Sequence, residues 1–273
     1  MDPCSWRQID VAFPEWTTSE TTALTHLAPL LTSAEDERII TAWFFKRKRP
    51  CWRIRYVPRG ARTQDCLHRR LNRLVRYGHI DAATEVIYEP EVHAFGGPRA
   101  MAYAHDLFHR DSLHLLGYLA SSPDDRHRRA LTILLCTVLL RSAGLDWYEQ
   151  GDVWARVAGH RDPHPIPPER RDALETGLRR LMSIDAGPLT CDGAPLAFAA
   201  EWATAFTAVG HELADLAAKG LLCRGLRAVL AHHIVFAWNR LGLPYAAQAV
   251  LSHTAKQVVF GRAPEALPAR ETK

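Results

Sequence analysis

The stretch AWFFKRKRPCWRIRYVPRG, Ala42 to Gly60, decides how the chain begins to fold. Trp43, Phe44 and Phe45 read as a buried strand, and Lys46 to Arg49, closed by Pro50, read as a turn. Beyond it Trp52, Ile54 and Tyr56 alternate with Cys51, Arg53, Arg55 and Val57. That period of two belongs to a second strand with one apolar and one largely basic face. Arg53 and Arg55 then leave the same face, ~7 Å apart at a rise of ~3.3 Å per residue. Two arginines side by side are either solvated or placed for an anion.

The surroundings favour the anion. From Lys46 to Arg76 the chain carries twelve Lys or Arg and one acid, Asp65, although the net charge is only +4. Such a block suits nucleic acid, phosphate or an acidic peptide. At 273 residues the chain has ample apolar content for a core. It contains no run of eighteen apolar residues, and MDPCSWRQID reads as neither a signal nor a transit peptide, so a soluble, cytoplasmic protein is expected. Six cysteines (4, 51, 66, 136, 191 and 223) stand without a C-x-x-C, which suggests neither a disulfide framework nor a zinc ribbon.

Outward from the opening stretch, WRQIDVAF (6–13) alternates as a strand and residues 21–39 read as mainly helical. Residues 65–78 form a basic amphipathic helix on a stripe of Leu67, Leu71, Leu74 and Val75, and Ala83 to Tyr88 returns as a strand. Strand, helix, strand, strand, helix, strand is the order of a split βαβ, ferredoxin-like unit. After FGGPRA the pattern turns helical, roughly over 98–119, 124–143, 146–158, 167–183, 195–218, 221–241 and 245–259. The expected class is α+β: a single domain over 1–265, with an antiparallel ferredoxin-like sheet region in 1–97 and a mostly helical region in 98–265.

Few stretches carry recognisable chemistry. VGHELAD (209–215) is similar to the zinc-protease H-E-x-x-H, but Asp215 stands where the second histidine is needed and no third ligand follows, so no metal is expected. His211 and Asp215, at i and i+4, can instead share a helix face and orient an imidazole, or form an ordinary polar pair. In LAHHIVFAWNRLGLPY, His233 lies on an apolar stripe, where a histidine is more often core than catalyst. Asn239 and Arg240 near that helix end suit capping or pocket lining. No phosphate-binding loop, dinucleotide fingerprint or nucleophile elbow occurs.

WRQIDVAF, AWFFKRKRPCWRIRYVP, YEPEVHAFGGPRAMAYAHDLFHRDS and AWNRLGL together resemble the C-terminal, elimination-type domain of lantibiotic dehydratases, which also occurs as a stand-alone protein in thiopeptide-type bacteriocin clusters. The resemblance runs from Trp6 to Phe260. It implies one of two activities on a ribosomally made precursor peptide with an acidic leader. Eliminating members remove glutamate from glutamylated Ser or Thr. Thiopeptide members join two dehydroalanines by a formal aza-[4+2] cycloaddition, losing water and the leader to leave a pyridine macrocycle.

Arg53 and Arg55 match the family's R-x-R. Pro90, His93 and Ala94 interrupt the Y-E-x-E…G-G element, whose usual arginines are lost, and Val235 stands four residues before Asn239, where eliminators carry their histidine. These departures favour pyridine synthesis, with the glutamate eliminator as the alternative; a slip of two residues would put His233 in the histidine's place. The expected catalytic groups are Tyr245, His211 and Asp215. Trp52, Arg53, Arg55, His93, His233, Asn239 and Arg240 are expected to bind substrate, and Lys46, Arg47, Lys48, Arg49, Arg69 and Arg73 the leader, for which a strand added along a sheet edge is a natural mode. No cofactor, nucleic acid or membrane is expected as a partner. Other enzymes acting on the same precursor peptide, and a second copy in a homodimer, are compatible partners.

Overall fold

The computed structural model describes residues 6–121 and 127–262; the start of the helix expected over 124–143, and both ends of the expected domain, lie outside them. The N-terminal part is a four-stranded antiparallel sheet of β1 (Arg7–Ala12), β2 (Ile40–Lys48), β3 (Cys51–Pro58) and β4 (Ala82–Val86), ordered β2-β3-β1-β4. Between β1 and β2 run α1 (Ser19–Thr22), a π-helical turn (Ala23–Leu27) and α2 (Ala28–Asp36); α3 (Ala61–Arg76) joins β3 to β4. The rest is helical: α4 (Pro98–Ser121), α5 (Arg128–Ser142), α6 (Trp147–Ala158), α7 (Pro168–Ser183), the short α8 (Gly187–Thr190), α9 (Ala200–Ala218), α10 (Leu226–Leu241) and α11 (Tyr245–Phe260). No helix among the described residues is long and apolar enough to cross a membrane.

The sheet is covered on both faces, which the alternation in β3 could not reveal. Ile9, Val11, Trp43, Phe45, Trp52, Ile54 and Tyr56 join Leu31 of α2 and Leu67 and Leu71 of α3 in the main core. On the other face Trp6, Ala42, Phe44 and Val57 meet Met101, Ala104 and Phe108 of α4 and Phe236 of α10. A sheet with helices on both faces hides whatever its strands carry, and here β3 carries arginines. Arg55 is buried at 6 % exposure.

The long helix α4 also closes one sheet edge. The outer backbone of β2 meets α4 side chains: Trp43 N lies 3.3 Å from His109 Nδ1, Trp43 O lies 2.8 Å from the same nitrogen, and Phe45 N donates to Ser112 Oγ at 3.3 Å. Burial opposes charge on His109, but its contacts with Glu35 and the Trp43 carbonyl outweigh that and hold its pKa above the ordinary value.

Deeper in the helical part, Asp111 of α4 accepts from Arg240 Nε at 2.5 Å and from Trp202 Nε1 of α9 at 2.8 Å, tying three helices together. Arg240 is 1 % exposed and its guanidinium lies 4.5 Å from the Phe108 ring centre. Arg240, expected to bind substrate, is therefore a core residue whose charge is spent on Asp111. Removing one partner of such a pair leaves a buried charge alone and typically costs ~3–5 kcal/mol, whereas a well-packed apolar pair is often neutral. Asp111→Ala should accordingly lower the unfolding free energy by about that amount in urea titration, and Asp111→Leu combined with Arg240→Met should recover most of it.

Candidate functional site

Strand register builds the site. Across β2, β3 and β1, Lys46 opposes Arg53, which opposes Asp10; one step along, Phe44 opposes Arg55, which opposes Gln8. All six side chains leave the face covered by α4 and α10. Arg55 Nε donates to Gln8 Oε1 at 2.8 Å, and Gln8 Nε2 donates to Asp10 Oδ1 at 2.8 Å. Arg53 is half-buried, with Nε 3.9 Å from Asp10 Oδ2. The Arg55 guanidinium lies 4.6 Å from the Tyr88 ring centre and 5.4 Å from that of Phe44.

The segment after β4 and helix α10 close over this row. Glu91 accepts from or shares a proton with His232 Nε2 at 2.8 Å and stands 3.8 Å from Lys46 Nζ. Lys46 in turn sits 3.9 Å from the Phe236 ring centre, one helical turn beyond His232. Tyr88 OH is 2.8 Å from Nε2 of His105, whose ring packs 4.5 Å from that of Trp6.

Burial governs the titration of this cluster. It pulls the Lys46 ammonium down to about 8, against the help of Glu91 and with Arg55, Lys48 and Arg53 adding repulsion. It pulls His105 to about 4, reinforced by Arg55, and holds the Tyr88 phenol well above its ordinary value. The His232 contact, then Lys46, keep the Glu91 carboxyl below the usual range despite burial. Burial, then Arg161, His232 and Arg224, lower His160 in the loop after α6. The result is a half-enclosed cationic face holding one imidazole–carboxylate pair. It can bind an anion and accept a proton beside it.

The structure brings together Lys46, Arg53 and Arg55 from the expected residues, and moves several others elsewhere. Trp52 lies on the opposite sheet face, stacked on Phe45 at 4.8 Å with Arg47 4.5 Å above it, because alternate residues of one strand cannot share a face. Arg47 pairs with Glu20 at 2.5 Å, and Glu20 also holds Arg128. Lys48 and Arg49 are exposed at the hairpin turn, and Arg69 and Arg73 are exposed on α3, which covers that opposite face. The basic block is thus split between the two sides of the sheet and forms no single surface.

His211 and Asp215 do not pair: both are exposed, and Asp215 takes Lys219 at 2.7 Å. Their helix α9 packs on α4 and α5, whereas Tyr245 opens α11, which packs on α6 and α7. Tyr245 is itself exposed, its hydroxyl accepting from Asp162 N at 3.0 Å in a cleft of about 710 Å³ shared with Arg49, Arg161 and Asn239. Asn239 accepts from Gln248 at 3.2 Å. His93 is exposed, and its carbonyl rather than its ring is engaged, by Gly96 N. His233 is buried at 2 % with neither ring nitrogen partnered, and burial, His232 and Arg240 depress it to about 3.

Tyr88, Glu91, His105 and His232 were not among the expected site residues. The Y-E-P-E run and the double histidine were visible, but only the register and the closing helix show that they meet Arg55 and Lys46. Val235 packs against the main core, three residues beyond His232.

A family model described as lantibiotic biosynthesis dehydratase C-term matches residues 6–259. Among solved structures, the fold is similar to that of the tRNA dependent lantibiotic dehydratase MibB from Microbispora sp. 107891, with a TM-score of 0.67 and 17 % identity over 94 % of this chain. This chain spans 28 % of MibB's length. It is similar over 96 % of its length to TsrL, of which it covers 100 %, at TM-score 0.64 and 19 % identity. It is similar over 93 % to TbtD, a pyridine synthase from thiomuracin biosynthesis, of which it covers 97 %, at TM-score 0.67 and 11 % identity. At these identities the likeness is one of fold. A search of curated proteins gives no match.

The displaced Lys46 value has a measurable consequence. Between about 8 and the ordinary 10.5, the unfolded chain holds this proton and the folded chain does not, so the group's contribution to stability grows as pH rises through that window and is lost as pH falls to 8. Urea unfolding of the wild type should therefore gain on Lys46→Met between pH 8 and 10.5, by up to about 3 kcal/mol.

Proposed function

This chain belongs to the family of lantibiotic biosynthesis dehydratase C-terminal domains, and we propose that it removes glutamate from glutamylated Ser or Thr of a ribosomally made precursor peptide, leaving a dehydroamino acid. The observation that carries the reading is the row Lys46–Arg53–Arg55 beside the His232–Glu91 pair. A β-elimination breaks the Cα–H bond, converts its electrons to the Cα=Cβ bond and expels the carboxylate on Cβ. It requires a base for the proton and cations for the enolate and the departing anion.

His232, held by Glu91, takes the proton. The face of Arg53 and Arg55 receives the leaving carboxylate, with Arg55 aimed by Gln8 and Lys46 adding charge below pH about 8. Because Arg55 is already oriented by Gln8 and stacked on Tyr88, little reorganisation remains when negative charge develops.

Pyridine formation from two dehydroalanines is a second reading, favoured by Val235 where eliminators carry histidine. In that reaction positioning alone can contribute up to ~7–11 kcal/mol, and Tyr245 beside Arg161 and Asn239 would serve proton transfer.

The two part on substrate. Incubated with a glutamylated peptide and, separately, with a linear peptide bearing two dehydroalanines, the protein should release glutamate from the first and leave the mass of the second unchanged. Ring closure with leader loss in the second would sink the elimination reading. His232→Ala should slow glutamate release by ~10²–10⁴-fold, and Arg55→Lys should not restore what Arg55→Ala loses, since the planar fork is absent.

A further inference from the structure

The two edges of the sheet are treated differently. At β2, the Trp43 carbonyl and the Phe45 N–H, which would attract another strand, are taken by His109 and Ser112 of α4. At β4, β1 pairs along one side, and the other side has no strand among the described residues. An unprotected edge is a template for an extended chain.

Three features mark this edge as more than a short strand ending in solvent. Thr84 and Glu85 are exposed, and Ile87, immediately past the strand, is 88 % exposed although it is a β-branched hydrophobe. Alongside runs a groove of about 560 Å³ lined by Trp6, Arg7, Glu85, Val86, Ile87, Tyr88 and Pro90. Tyr88 connects the groove to the chemistry, because its ring lies 4.6 Å from the Arg55 guanidinium. A chain laid along β4 would therefore run past Ile87 and reach Tyr88 with its next residues beside the cationic face.

We propose that the β4 edge is the docking track of the substrate peptide, which adds as a fifth strand and sets a side chain into the Trp6–Tyr88 groove while the adjoining Ser or Thr enters the site. This rests on the peptide-processing reading above. Main-chain pairing supplies affinity without demanding a sequence, and the groove selects an apolar side chain at one position.

Hydrogen exchange on the full chain, with a synthetic extended peptide of alternating apolar and Ser residues as the probe, tests the proposal. Amides over 82–87 should gain protection when the peptide is added. N-methylating every second backbone amide of the peptide should weaken binding at least tenfold in one phase and little in the other, because only alternate amides face β4. Ile87→Glu, a surface change that leaves folding intact, should weaken binding several-fold.

Peptide binding without protection at 82–87 would overturn the docking track and leave glutamate release untouched as a separate finding. Protection at 82–87 that appears without peptide and grows with protein concentration would assign the edge to a second copy of this chain, again overturning it. Absence of both binding and glutamate release would remove the functional reading and the track together.

Discussion

Everything at the site depends on arginines carried by a strand that is covered on both faces. Arg55 could not remain buried in a purely apolar sandwich, because an unpaired guanidinium out of water is heavily penalised. The β1–β3 register answers this by placing Gln8 and Asp10 opposite the two arginines, and Tyr88 and Phe44 supply ring faces to Arg55. The same arrangement leaves Arg53 half-buried and Lys46 paired only weakly with Glu91, so this face keeps a positive charge.

That constraint explains why the helical region is built as it is. Helix α10 serves the core through His233, Ile234, Trp238 and Arg240, and serves the site through His232 and Phe236. Asp111 fixes Arg240 and Trp202, so the position of α10 relative to α4 and α9 is set by a buried three-way contact rather than by apolar packing alone. Helix α4 does three tasks: it covers the Phe44 face, seals the β2 edge and supplies Asp111. A site on regular elements held this tightly stays close to its working geometry.

Much of the element order was legible in the chain. The alternation at 51–57, the amphipathic stripe of 65–78 and the helical periodicity after Pro98 all found their elements within a few residues, because period and turn residues act locally. The site was legible in part. R-x-R could be read as two arginines on one face, since alternate side chains of a strand share a side.

What the sequence by itself determined was therefore local: which residues form strands and helices, and that Arg53 and Arg55 project together. Only the tertiary structure decided what they meet. Register chose Lys46, Gln8 and Asp10 as neighbours, and the closing of α10 chose His232 over His233, a hundred-degree difference on one helix that depends on which side finds the core. The basic run from 46 to 76 shows the limit most plainly. It is continuous in the chain, but a strand alternates and α3 crosses to the other face, so its charges are divided between opposite sides of one sheet.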